Sequence, residues 1–463
     1  MRFVHRQAER PDTFEYVLTG RRISGSKAEV LDQLDELIRA LVGVRQLLEL
    51  PGEHPVITPT SRLRLVRSLL AFALVLGLTA FASAQSRSES AAAAAQEPSA
   101  PDAAPATQPT DADPFKNIKF GAGFEGYYQY NWNRPYDRVN LLRAYDTRAN
   151  VFSIHQANII VESAANVDAG QRWGARVDLQ FGQATETVQG GAANEPRPDV
   201  YRHVWQAFGT YVFPVGRGLT TDFGKFASML GYETNYAKDN NHFSRAYLFN
   251  FLPFYHMGAR LSLPVSDKVT LMYMLTNGIQ QTEDFNDFKS SHVASIVKPT
   301  DKVTWTINYY FGQEQSDGGE PEGPDGFFRV FDTYIAYTAT PKLSFGLDAN
   351  YVTNEVTEDD PSLSLQGTGL YARYQVSSPV AVALRYERLD DEGLFGGIEQ
   401  VLHEVTATAE YKFAEGFLMR AEFRRDWSNE AFFTGSQPAN VRKDQNTALL
   451  GLVWWFGNKQ GAW

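Results

Sequence analysis

The chain has 463 residues, no cysteine, and 54 acidic against 43 basic side chains, a formal charge of −11. The missing cysteine excludes disulfide frameworks, thiolate metal sites and cysteine nucleophiles, and the acidic balance argues against a phosphate-binding surface, so no nucleic-acid partner is expected. The 31 Phe, 22 Tyr, 8 Trp and 36 Gly coexist with a mean hydropathy of only −0.33, which does not fit a multi-pass helical membrane protein with repeated apolar runs of about 20 residues.

Residues 1–60 are expected to form an amphipathic extension. Ser26-x-x-Glu29 is a capping box, and Val30, Leu31, Leu34, Leu37, Ile38, Leu41, Leu47 and Leu48 recur at helical spacing. The segment 61–84 reads as a signal peptide: Arg62, Arg64 and Arg67 precede the apolar run Leu69–Ala80, and Ala82 and Ala84 stand before a cleavage expected between Ala84 and Gln85. A single membrane anchor is the competing reading, but the run is short and no basic flank follows it. A leader preceded by a helix is out of place. Either translation begins further in, near Val56, Leu63 or Val66 through a non-ATG codon, or the extension is a cytoplasmic segment ahead of an internal signal. Intact-protein mass decides between them. Residues 85–113 hold Ala91–Ala95 and four prolines without one aromatic residue, a composition that buries no core and reads as a flexible linker.

From residue 114 to 463 the texture is uniform, with a period of two. Phe120, Phe124, Tyr128, Tyr130 and Trp132 share one strand face, and Lys119, Glu125, Gln129 and Asn131 the other. The pattern returns in Trp173–Phe181, Val303–Phe311 and Leu343–Tyr351. Seven short turn-like links, as at 214–218, 264–268 and 414–416, alternate with eight longer polar ones, at 133–150, 184–200, 229–254, 277–288, 313–326, 354–364, 390–398 and 427–441. Together they imply an all-β fold, an antiparallel up-and-down transmembrane β-barrel of about 16 strands with short periplasmic turns and long extracellular loops. The last strand places Trp454 and Phe456 on its ring-bearing face, an expected insertion signal read by the barrel-insertion machinery, with Trp463 as the competing terminal element.

Gly224-Lys-Phe226, Gly231-Tyr-Glu-Thr-Asn235, the run Tyr247-Leu-Phe-Asn-Phe-Leu-Pro-Phe-Tyr255 and Trp454-Trp-Phe-Gly-Asn-Lys459 resemble the OmpL-like β-barrel porin family of Gram-negative envelopes over about residues 114–463. The resemblance implies a porin of the cell outer membrane for small hydrophilic solutes, reached by Sec-type export.

With the rings facing lipid, the expected pore-lining residues are Lys119, Glu125, Arg176, Asp178, Arg260, Asp348, Arg373, Arg385, Glu387, Arg420, Glu422 and Arg424. Their signs nearly balance, whereas a strongly selective pore concentrates one sign; for any one of them, pairing across neighbouring strands is the plainer role. The 229–254 link carries Tyr232, Tyr236, His242, Phe243 and Tyr247 and is expected to fold inward as a constriction, the alternative being ring packing at the membrane boundary. Acidic outer loops, with Glu314, Asp325, Asp359, Asp360, Asp390 and Asp391, suit solvated charge or cation bridges to lipopolysaccharide.

Catalysis is not expected. His242, Ser244 and Asp239 lie in a loop without a nucleophile-elbow pattern, no HExxH or other ligand cluster occurs, and no metal or cofactor is called for. The expected function is passive diffusion through a water-filled lumen of mixed charge. Expected partners are outer-membrane lipids, lipopolysaccharide and small hydrophilic solutes, with a homotrimer as one assembly. A plugged structural or adhesive barrel and an outer-membrane lipid hydrolase are the alternatives.

Overall fold

The computed structural model describes residues 6–7, 14–18, 21–25, 117–188, 195, 197–316, 325–355 and 361–459. The chain divides into two compact units, Met1–Ser99 and Ala100–Trp463. In the first, Arg6–Gln7, Phe14–Leu18 and Arg21–Gly25 form a three-stranded antiparallel sheet. The helix expected at 26–48, the signal segment with Ala84 and Gln85, the linker and Trp463 lie outside the described residues.

The second unit contains sixteen long strands: β1 (Lys119–Asn131), β2 (Val151–Ser163), β3 (Trp173–Phe181), β4 (Val204–Phe213), β5 (Leu219–Ala227), β6 (Tyr255–Pro264), β7 (Val269–Thr276), β8 (Ser290–Thr300), β9 (Val303–Gln313), β10 (Phe327–Thr340), β11 (Leu343–Asn354), β12 (Leu363–Gln375), β13 (Val380–Glu392), β14 (Glu399–Ala414), β15 (Phe417–Ser428) and β16 (Asp444–Gly457). Each pairs antiparallel with its neighbours in sequence, and β16 closes on β1, with Leu450 opposite Tyr128 and Gly457 opposite Gly121. Closure leaves no unpaired edge, the condition for spanning hydrocarbon with strands. Among the described residues no helix is long and apolar enough to cross a membrane.

The period of two has its physical cause here. Outward positions are apolar and exposed, inward ones polar and buried: on β1 Phe120 and Phe124, and Trp132 just past it, are exposed while Glu125, Tyr127, Gln129 and Asn131 are buried. The outward rings gather at strand ends. Phe213, Tyr337, Phe345, Phe413, Trp454 and Phe456 ring the short-turn end, Trp132, Phe152, Phe181 and Tyr351 the other, and Leu370, Leu384 and Leu450 lie between them. That is the banding of a bilayer-spanning barrel, with rings at the interfaces and aliphatic side chains at the hydrocarbon.

The short links all fall at one end and the long ones at the other. Several link boundaries move by one to three residues from the sequence pattern, and one of these moves changes a reading. β13 runs to Glu392, so Asp390 and Asp391 belong to the strand; Asp391 is buried and accepts from the amides of Gly393, Phe395 and Gly396, so it closes the turn from inside.

Candidate functional site: the lumen and its inward loop

Residues 228–254 connect β5 to β6 and lie against the inward face of the barrel. A loop taken out of water must find partners for its backbone N–H and C=O groups. The wall supplies them with charged side chains placed near mid-strand. Asp332 and Asp348 accept from Gly231 N and Tyr232 N at 3.2 and 3.0 Å, and Glu125 from Ala237 N at 2.6 Å. Glu422 accepts from Phe243 N and Ser244 N at 2.9 and 3.2 Å, and Glu387 from Tyr247 N and Leu248 N at 2.6 and 3.1 Å. Arginines take the carbonyls: Arg420 donates to the oxygens of Ala237, Asn240 and His242 at 2.7 to 2.9 Å, Arg385 to Ser244 O at 3.0 Å and Arg424 to Arg245 O at 2.6 Å. On the opposite arc, Gln156 donates to Asn235 O at 2.9 Å and the Tyr236 hydroxyl to Asp178 at 3.1 Å. The loop is therefore tied to β1–β3 on one side and to β10, β11 and β13–β15 on the other.

The loop also holds itself. Arg245 donates to the carbonyls of Thr234, Asn235 and Phe243, and Glu233 accepts from Ala246 N while pairing with Arg385 at 2.7 Å. Arg245 did not stand out in the sequence, and Glu233 only as part of the Gly231–Asn235 motif, because an irregular loop has no period that marks a charge as structural.

Apolar packing completes the seat. A short helix, Tyr247–Phe251, together with Leu230 and Leu252, packs on inward Tyr310, Val330, Val352, Leu365, Leu389 and Leu402, with Phe433 closing the cluster. Two wall glycines make room for loop side chains: a Cβ on Gly451 would stand 2.3 Å from the Phe243 ring, and one on Gly367 2.3 Å from Leu248. Any larger residue there displaces the loop or the strand.

The expected residues thus divide by height. Glu125, Asp178, Asp348, Arg385, Glu387, Arg420, Glu422 and Arg424 are buried on the inward face and bound to the loop or to each other. Nearer the short-turn end, Arg176 pairs with Asp178 and Glu162, Arg260 with Asp222, and Arg373 with Glu410; Lys119 is exposed at the start of β1. Of the five loop residues, Tyr236, His242, Phe243 and Tyr247 are buried and Tyr232 is half-buried beside Tyr371, with ring centroids 4.6 Å apart. Trp454 and Phe456 face outward on β16, as the last strand's pattern predicts.

Glu314 departs from its expected place on a solvated acidic loop. It sits just past β9, where its two oxygens accept from Ile279 N, Gln281, Ser290 and the Tyr310 hydroxyl, and burial pushes its carboxyl up to about 7. Asp359 and Asp360 lie outside the described residues. His242 Nδ1 meets the Thr408 hydroxyl, and Ser244 Oγ accepts from Arg385, so imidazole and hydroxyl are each engaged elsewhere. Among the described residues no group of three or more His, Asp or Glu is placed to hold a metal ion.

No curated protein matches the chain. Solved structures resemble the chain at low identity. Salmonella typhi OmpF in complex with daunomycin aligns with a TM-score of 0.49 and 14% identity, over 73% of this chain and 97% of that one. The channel DcaP of Acinetobacter baumannii gives 0.48 and 10%, over 73% and 97%, and an anion-selective porin from Comamonas acidovorans 0.47 and 9%, over 73% and 99%. A family model described as "Putative beta-barrel porin-2, OmpL-like" matches residues 117–456, all sixteen strands but for the last residue of β16. The chain belongs to that family of porin-like barrels of the outer membrane.

Proposed function

We propose that the protein is a passive, non-catalytic porin for small hydrophilic solutes, with a bore set by the 228–254 loop. The observation that carries this is the loop's attachment at mid-height to strands across the barrel from one another, β1–β3 and β10–β11, as well as to β13–β15, which narrows the lumen where strand diameter alone leaves it wide. A barrel of sixteen strands is wide enough to hold an aqueous channel. The paired charges toward the short-turn end favour weak ion selectivity, since arginines and carboxylates alternate there rather than forming a ring of one sign. Export by the signal segment, insertion through the last strand, lipid and lipopolysaccharide at the ring belts and assembly as a homotrimer complete this reading.

The apolar cluster between the loop helix and β9–β14 favours a second reading, a lumen sealed by the loop. Planar-bilayer recording separates the two. The porin gives small, steady conductance steps with a reversal potential near zero in a salt gradient; a sealed barrel gives none. Removing residues 233–250 should raise the step size several-fold, and an unchanged step would remove the loop from the conduction path.

A further inference from the structure

Above the loop helix, at the long-loop end, lies a cavity of about 370 Å³. Three rings line it: Phe251 from the loop helix, Phe254 from the loop's exit into β6, and Phe328 from the first turn of β10. Between them stand the amide side chains of Asn250, Gln315 and Asn354, each half-buried and, among the described residues, without a protein hydrogen bond. Gln280 adds a fourth amide; its Oε1 accepts from Phe254 N, and its backbone is held in the left-handed region at φ 52°.

The lining chemistry selects a class of ligand. No Lys, Arg or His lines the cavity, so an anion finds no counter-charge. The one carboxylate, Glu314, spends both oxygens on four protein donors, which leaves nothing for a cation. What remains is flat apolar surface flanked by groups that each donate and accept. Hydroxyl groups on a ring with apolar faces match that set, and the volume suits a ligand of one or two such rings.

We propose that this cavity binds a neutral polyhydroxylated solute, a mono- or disaccharide, stacked on Phe251 and Phe328 and hydrogen-bonded by Asn250, Gln315 and Asn354. It would place a recognition step at the mouth of the barrel, directly above the loop that sets the bore. The inference draws its purpose from the porin reading, but binding requires no conduction, so the two fail separately.

The test is calorimetric titration of the full chain in detergent micelles with sucrose and with glucose. Choline chloride and sodium phosphate serve as cationic and anionic comparisons, and single-channel recording is made on the same unaltered preparation. Saturable sugar binding is expected, weakened about tenfold by Phe328→Ala and several-fold by Asn354→Ala or Asn250→Ala, which change no packed ring and guard against misfolding of the first variant. Absence of sugar binding, tighter binding of choline or phosphate, or sugar binding indifferent to all three substitutions would each overturn the proposal. Sugar binding without conductance would sustain it while removing the porin reading.

Discussion

Toward the long loops, the inward positions of β9–β14 are Tyr310, Val330, Val352, Leu365, Leu389 and Leu402, and they pack on a helix of the inserted loop. Toward the short turns, the inward positions carry Arg176, Glu162, Arg260, Asp222, Arg373 and Glu410, paired across strands and, Asp222 apart, still partly open to water. The first half is built like a protein core and the second like a wet wall. One closed sheet serves both because the period of two specifies only which way a side chain points, not what it meets there. Between the halves, a belt of buried charges does neither job alone: it serves as the backbone partner of a loop that has left water.

Arginine substitutions test the contrast most directly. Arg420→Ala strips partners from three loop carbonyls and from Glu410, and breaking a buried pair of this kind costs about 3–5 kcal/mol. The barrel should lose its heat-resistant gel mobility at a clearly lower temperature and show noisier conductance. Gly451→Val crowds Phe243 at a cost of about 1–3 kcal/mol for overpacking. It should unsettle the loop without touching a charge, read as faster proteolysis within 228–254; an unchanged cleavage pattern would show that the ring can shift freely.

A pH effect follows from Glu314. Its carboxyl titrates at about 7 in the folded protein against 4.5 ordinarily, with burial as the main cause and Asp284 adding to it. The folded state therefore holds the proton more tightly. Glu314's own contribution to stability is greatest below pH 4.5, falls as pH rises towards 7 and levels above it, a loss of up to about 3 kcal/mol. Glu314→Gln should flatten this slope in a thermal-unfolding series across those pH values. The smallest effect belongs to the wet half: Arg373→Ala removes a pair whose arginine side chain is 28% exposed, worth about 0–1 kcal/mol. A loss there matching that of Arg420 would erase the distinction between the halves.

The barrel was legible because its signal repeats. Alternation in Lys119–Asn131 or Leu343–Asn354 and the unequal links state strand, face and end many times over, so an error at one boundary, as at Asp390 and Asp391, changes nothing else. The loop's inward course was legible only as an excess of rings. Its attachments were not, since Glu422 and Phe243 meet across 179 positions of sequence, and no local pattern records such a contact. Glu314 misled for the same reason: a carboxylate among other acids reads as solvated until Ile279, Gln281, Ser290 and Tyr310 are seen to surround it.

By itself, then, the sequence determined a closed antiparallel barrel, which residues meet lipid and which turn inward, because those follow from a two-residue period and the cost of unpaired backbone in hydrocarbon. Only the tertiary structure decided what the inward charges do. Whether Glu387 or Arg424 faces water or a buried amide depends on where a distant loop comes to rest, and that is a matter of packing between residues far apart in the chain.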